Sequence, residues 1–172
     1  NKKSKWITNK ISRNYGHLIR SQSDAILTSS ETVINDNSKL TCRLKGLEKY
    51  SPIKVVVDRH LRVNKDSFFF KTNFKGKIIV YFDSKVTKKK FDYPSNVTLI
   101  DLNHIIIGDV SFFEAILKDL SNKNIKNLLI ESGPTFYHEM LKKGLIDEIA
   151  FFKSNILIGN DGIPIVKELD YY

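Results

Sequence analysis

The sequence predicts an α/β fold in three layers: a mostly parallel central sheet with helices on both faces. Three observations predict it. Short runs rich in branched apolar residues recur along the chain, and most are continuous rather than alternating, the pattern of strands buried on both faces. Amphipathic stretches with capping signals lie between several of them. Towards the C-terminus the order helix, strand, helix, strand repeats, and right-handed crossovers place such helices on the sheet faces.

The elements follow in chain order. Residues 9–20, NKISRNYGHLIR, predict a helix with Ile11, Tyr15, Leu18 and Ile19 on one stripe. Thr8 or Asn9 can cap it, Gly16 weakens it, and Arg20 sits at the end where a cation is favoured. A strand, DAILTS at 24–29, comes next. A polar loop, TSSETVINDNSKLTCR at 28–43, follows. Strands are then expected at 53–58 (IKVVVD), 77–82 (KIIVYF) and 96–101 (NVTLID). Residues 111–121 predict the best-marked helix. Ser111 and Glu114 form a capping box, and Phe112, Phe113, Ile116, Leu117 and Leu120 supply the buried face. A strand at 125–131 leads into a helix at 135–143 that starts after Pro134 and stops at Gly144. A last strand, DEIAFFKS, is expected at 147–154.

With 172 residues and no linker, repeat or low-complexity segment, one domain over 1–172 is the simplest organisation. Cys42 is the single cysteine, so no internal disulfide forms, and a reducing cytoplasm is the expected compartment. No apolar run is long enough to span a bilayer, and the first residues lack the apolar core of a signal peptide. The formal charge of +9 is spread along the chain. Without aromatic–basic interleaving it points away from nucleic acid and is compatible with a phosphorylated small molecule. His17, His60, His104 and His138 have no metal-ligand spacing, so no metal is expected, and each reads as structural or exposed.

Ligands of open α/β sheets sit beyond the carboxyl ends of the strands. TSSETV, DRHLRV, DLNH and ESGPTF occupy those ends. In ESGPTF, Gly133 admits a positive φ or a close phosphate, Pro134 suits helix entry, and the N–H groups of Thr135, Phe136 and Tyr137 can bind an anion. A plain strand–helix junction explains the same residues. Asp36 reads as a turn residue or a ligand, Arg43 as a surface cation or a phosphate clamp, and Trp6 as a rim residue or a stacking platform. There is no GxSxG elbow and no full dinucleotide fingerprint. The residues alone reach an α/β domain binding a phosphorylated or nucleotide ligand.

Six stretches then match one family in order: SKWIT at 4–8, HLIRSQSDAILT at 17–28, TVINDNSKLTCR at 32–43, PIKVVVD at 52–58, LLIESGPTF at 128–136 and LIDEIAFFKSNILIG at 145–159. The chain resembles the reductase domain of the bacterial bifunctional riboflavin biosynthesis deaminase/reductase, whose fold is dihydrofolate-reductase-like. That resemblance implies NADPH-dependent reduction of 5-amino-6-(5-phosphoribosylamino)uracil to the ribitylamino product. It implies cofactor contacts at Trp6, Thr32, Asp36, Gly133, Pro134, Thr135 and Phe136. It implies substrate contacts at Ser4, Arg20, Leu40, Arg43 and Glu131, with the arginines on the ribose 5-phosphate. Asp36 and Glu131 are the candidates to orient the reaction or assist proton delivery. A homodimer, a fused deaminase domain outside this chain and a first strand preceding Asn1 are further expectations. Three departures stand out: Ser132 where the family has a second glycine, Ser29–Ser30–Glu31 where it has a glycine turn, and Asn37–Ser38 where it has Asp–Pro. A related pterin or pyrimidine reductase and an inactive nucleotide-binding module are the alternatives. A substrate without phosphate would not need both Arg20 and Arg43.

Overall fold

The structure is a computed structural model and describes residues 7–71, 76–89, 92–156 and 164. Five strands form one sheet: β1 (Ala25–Ser29), β2 (Ile53–Val57), β3 (Ile78–Phe82), β4 (Val97–Asp101) and β5 (Leu128–Ile130). They lie in the order β4-β3-β2-β1-β5, and every pairing is parallel. The helices are α1 (Lys10–Gln22), α2 (Ser30–Asp36), α3 (Phe68–Lys71), α4 (Leu102–Ile105), α5 (Phe112–Asn122) and α6 (Pro134–Lys142), with a 3-10 turn at Glu48–Tyr50.

The side chains of β1, β2 and β3 alternate between two cores. Ala25, Leu27, Val55, Val57, Ile79 and Tyr81 face Leu102 of α4, Ile116 and Leu120 of α5, and Phe136 of α6. Ile26, Val56, Ile78 and Val80 face Val33 of α2, Phe69 and Phe70 of α3, and Leu40, Leu61 and Val63 of the loops. The expected three layers are therefore present. The cap of α5 is also as expected: Ser111 Oγ accepts the Glu114 N–H at 3.4 Å, and the Glu114 carboxylate accepts the Ser111 N–H at 3.0 Å.

Three expectations need correction, at 30–36, 125–131 and 147–154. Residues 30–36, read as loop, are a helix. Ser29 caps it by accepting the Thr32 N–H at 3.3 Å, Val33 anchors it in the core, and Asn37 ends it in the left-handed region at φ +45°. One buried apolar residue is too weak a periodic signal to mark a helix in a polar sequence. Helix α1 forms with Asn9 as its cap, accepting the Ser12 N–H at 2.9 Å, but none of its residues is buried. Ile11 and Tyr15 are exposed, and the Tyr15 ring meets Phe152 edge-on at 6.0 Å. The strand expected at 125–131 is ordered only over Leu128–Ile130. The run 147–154 is not a strand: among the described residues it has no ladder partner, and Ile149 and Phe151 stay 62% and 65% exposed. Apolar composition makes a strand only where a neighbour takes the backbone hydrogen bonds.

Candidate functional site

Strand β1 has β2 on one side and β5 on the other. The chain leaves β1 into α2, on one face of the sheet, and leaves β5 into α6, on the other. Such a divergence opens a crevice at the carboxyl ends of the two strands, the place where open α/β sheets bind ligands.

Glu131 is the first residue past β5, and its N–H donates to the Leu27 carbonyl at 3.0 Å, which seats it against β1. Its carboxylate is chelated by Arg20. Nε donates to Oε1 at 2.7 Å and Nη2 to Oε2 at 2.6 Å, with the two side chains 15% and 32% exposed. This paired geometry in a half-buried setting is among the stronger polar contacts a protein makes. Arg20 Nη1 donates onward to the Thr41 carbonyl at 3.1 Å. The last turn of α1, the 41–43 segment and the end of β5 thus converge on one guanidinium.

Arg43 lies beside this pair. Its N–H donates to His17 Nδ1 at 3.3 Å, while the residue itself is exposed. Partial desolvation of the Arg43 head and then the Arg20 charge lower its pKa, with Glu131 opposing. The same environment lowers His17 from 6.5: burial first, then Arg20 and Arg43, against Glu131 and the Thr41 carbonyl. Leu40 is buried in the core at φ +47°, a strained conformation for a leucine. Its side chain is committed to packing, so a ligand contact there falls to the backbone.

The other lip of the crevice is the start of α6. Gly133 caps this helix at φ −77°, not the positive φ allowed from sequence, and no side chain closes the helix end. A Cβ built on Gly133 meets nothing within 4 Å. Neither backbone conformation nor packing therefore demands a glycine here, and the space beside it suits a ligand approaching the main chain. Of the three N–H groups expected to be free, Phe136 and Tyr137 donate to the Gly133 carbonyl at 3.1 and 3.3 Å, which leaves Thr135. Pro134 occupies the first turn, where its missing N–H costs nothing. The Phe136 ring packs on Phe113 with centroids 4.9 Å apart. Ser132 Oγ is buried with no hydrogen-bond partner among the described residues. Tyr137 donates its hydroxyl to the Ile130 carbonyl at 2.6 Å and pins the turn that carries Glu131. Two of these features fit a phosphate-bearing dinucleotide: the open space beside Gly133 and the uncapped helix start.

The structure brings together Arg20, Arg43 and Glu131, with Leu40 three residues before Arg43 and Gly133–Phe136 following Glu131 in the chain. Thr32 is half-buried, with its hydroxyl 3.1 Å from Ser29 Oγ. Asp36 is exposed at the far end of α2, and no described contact joins it to Arg20, Arg43 or Glu131. Ser4 and Trp6 lie outside the described residues. The sequence reading takes His17 as structural or exposed and Tyr137 for its backbone N–H, not its hydroxyl. His17 stands three residues before Arg20, one helical turn away, and that spacing was the available signal.

A family model described as the RibD C-terminal domain matches residues 1–170. The chain is 32% identical to a 5-amino-6-(5-phosphoribosylamino)uracil reductase of Buchnera aphidicola, over 94% of this chain and 80% of that protein. It is 30% identical to the riboflavin biosynthesis protein RibD of Aquifex aeolicus, over 96% of this chain but 46% of that one. A crystal structure of a diaminohydroxyphosphoribosylaminopyrimidine deaminase/5-amino-6-(5-phosphoribosylamino)uracil reductase from Thermotoga maritima superposes with a TM-score of 0.62 at 32% identity, covering 81% of this chain and 36% of that one. The chain thus spans less than half the length of the two-function relatives it matches. The architecture is the dihydrofolate-reductase-like one expected from the sequence.

Proposed function

The chain belongs to the RibD C-terminal domain family, and on that basis we propose that it is an NADPH-dependent reductase of riboflavin biosynthesis. Its substrate is 5-amino-6-(5-phosphoribosylamino)uracil and its product the ribitylamino compound. The observation that carries this reading is the cluster of Arg20, Glu131 and Arg43 at the end of β5, two residues before the uncapped start of α6.

Arg43 binds the ribose 5-phosphate, because Arg20 already serves Glu131 and the Thr41 carbonyl. Glu131, held through both oxygens, is a fixed hydrogen-bond acceptor that orients the ribosylamino end of the substrate. The Thr135 N–H is the donor for the cofactor phosphates, with Gly133 leaving room for them, Pro134 opening the helix and Phe136 fixing it on the core. Trp6, Thr32 and Asp36 keep their assignment to the nicotinamide side, and Ser4 its assignment to substrate. NADPH supplies a hydride to C1 of the ring-opened ribosyl imine. The imine nitrogen takes a proton, and Asp36, exposed and unchelated, is the carboxyl group left to assist that transfer.

The test is turnover. With NADPH and the phosphorylated ribosylaminouracil, the folded protein consumes the reduced nicotinamide absorbance in step with substrate. A folded protein with no such consumption overturns the reading.

A further inference from the structure

Four consecutive residues lead to the exposed Arg43 head, and each is fixed differently. Leu40 is anchored in the core. The Thr41 carbonyl accepts from Arg20 Nη1 at 3.1 Å. Cys42 is buried and donates its N–H to Ser51 Oγ at 3.0 Å. The Arg43 N–H donates to His17 Nδ1 at 3.3 Å. His17 and Arg20 lie one turn apart on α1, so a single helix face grips this segment at two points. Arg43 is the one residue of the four classed as exposed.

We propose that His17 is a positioning residue for Arg43, and that only its neutral imidazole holds Arg43 where a phosphorylated substrate meets it. The proposal rests on the reading of Arg43 as the phosphate ligand. The groups facing His17 are Arg20 on its own helix, Arg43 and the Thr41 carbonyl on the braced segment, and Glu131 at the end of β5. Partial burial and the two guanidinium groups outweigh Glu131 and Thr41, so the imidazole is neutral at pH 7. In that state Nδ1 accepts the Arg43 N–H. As pH falls through the lowered His17 value, Nδ1 gains a proton and becomes a donor facing a donor. The brace is then lost on the acid side and intact on the neutral side. An imidazolium that touched the phosphate directly would act in the opposite sense, tightening binding as pH falls.

Calorimetric binding of ribose 5-phosphate to the whole protein, from about pH 8 down to about pH 5, tests this without requiring turnover. His17→Ala weakens binding about five- to tenfold at the upper end, the loss of one hydrogen bond to a site-forming segment. Where turnover is measured, substrate KM rises by a similar factor while kcat changes less than about twofold. His17→Asn places a non-titrating oxygen near the former Nδ1 position and recovers most of the lost affinity. The ligand phosphate itself titrates near pH ~6, so acid weakening shared by wild type and His17→Asn belongs to the ligand. The excess weakening in wild type belongs to His17. If His17→Ala does not fold, this pH comparison of wild type with His17→Asn still decides. Unchanged affinity in His17→Ala, identical pH profiles, wild-type binding that tightens on acidification, or no ribose 5-phosphate binding at pH 8 each overturns the proposal. Absent NADPH turnover with the binding pattern intact sinks the reductase reading alone.

Discussion

Arg20 and Glu131 stand 111 residues apart in sequence and meet at 2.6 Å in the fold. That contact divides the labour of the two arginines. Arg20 is spent on Glu131 and the Thr41 carbonyl, whereas the Arg43 guanidinium joins no described ion pair. Arg43→Ala should therefore raise the substrate KM about ten- to hundredfold, the worth of a charge-assisted hydrogen bond, with the NADPH KM within about twofold of wild type. Steady-state kinetics with each ligand varied in turn reads this, and an equal loss for both contradicts the assignment. Residue identity alone left Arg43 open between phosphate clamp and surface cation. The resemblance supplied a role for both arginines. Only the arrival of Glu131 beside α1 separates them, and no local pattern in the sequence encodes that long-range meeting.

Among the elements, α6 carries the sharpest claim. Gly133 has an ordinary φ of −77° and open space where a side chain would be. Gly133→Ala should lower the melting temperature modestly, since alanine is a poorer helix N-cap than glycine by about 0.5–1.5 kcal/mol. The NADPH KM should rise clearly above that of wild type, by more than the substrate KM does. An unaffected NADPH KM would mean that the space beside Gly133 is not the cofactor's. The start of α6 was legible because proline and glycine punctuate it, and α5 because Ser111 and Glu114 form a complete capping box. The helix α2 was hidden, because Ser30 and Val33 are its only buried residues and its cap lies in a run of polar residues. The run 147–154 misled in the opposite direction. It has the composition of a strand, but strand formation also depends on a neighbour, and composition does not report one.

At the scale of the whole molecule, the continuous apolar runs announced a sheet buried on both faces, and the two cores bear that out. Strand order is different. Periodicity locates β1 and β5 but does not say that they are neighbours, and the crevice exists only because they are. Their adjacency delivers Glu131 to Arg20, beside Arg43. On the proposed function, hydride donor and phosphorylated acceptor share the β1–β5 junction. Turnover with NADPH deuterated at the transferable C4 position tests this most directly, with the product read by mass spectrometry and NMR. One deuterium per product molecule is expected, at C1 of the ribityl chain, and none on the pyrimidine. Product without deuterium at C1, or label on the ring, would contradict it.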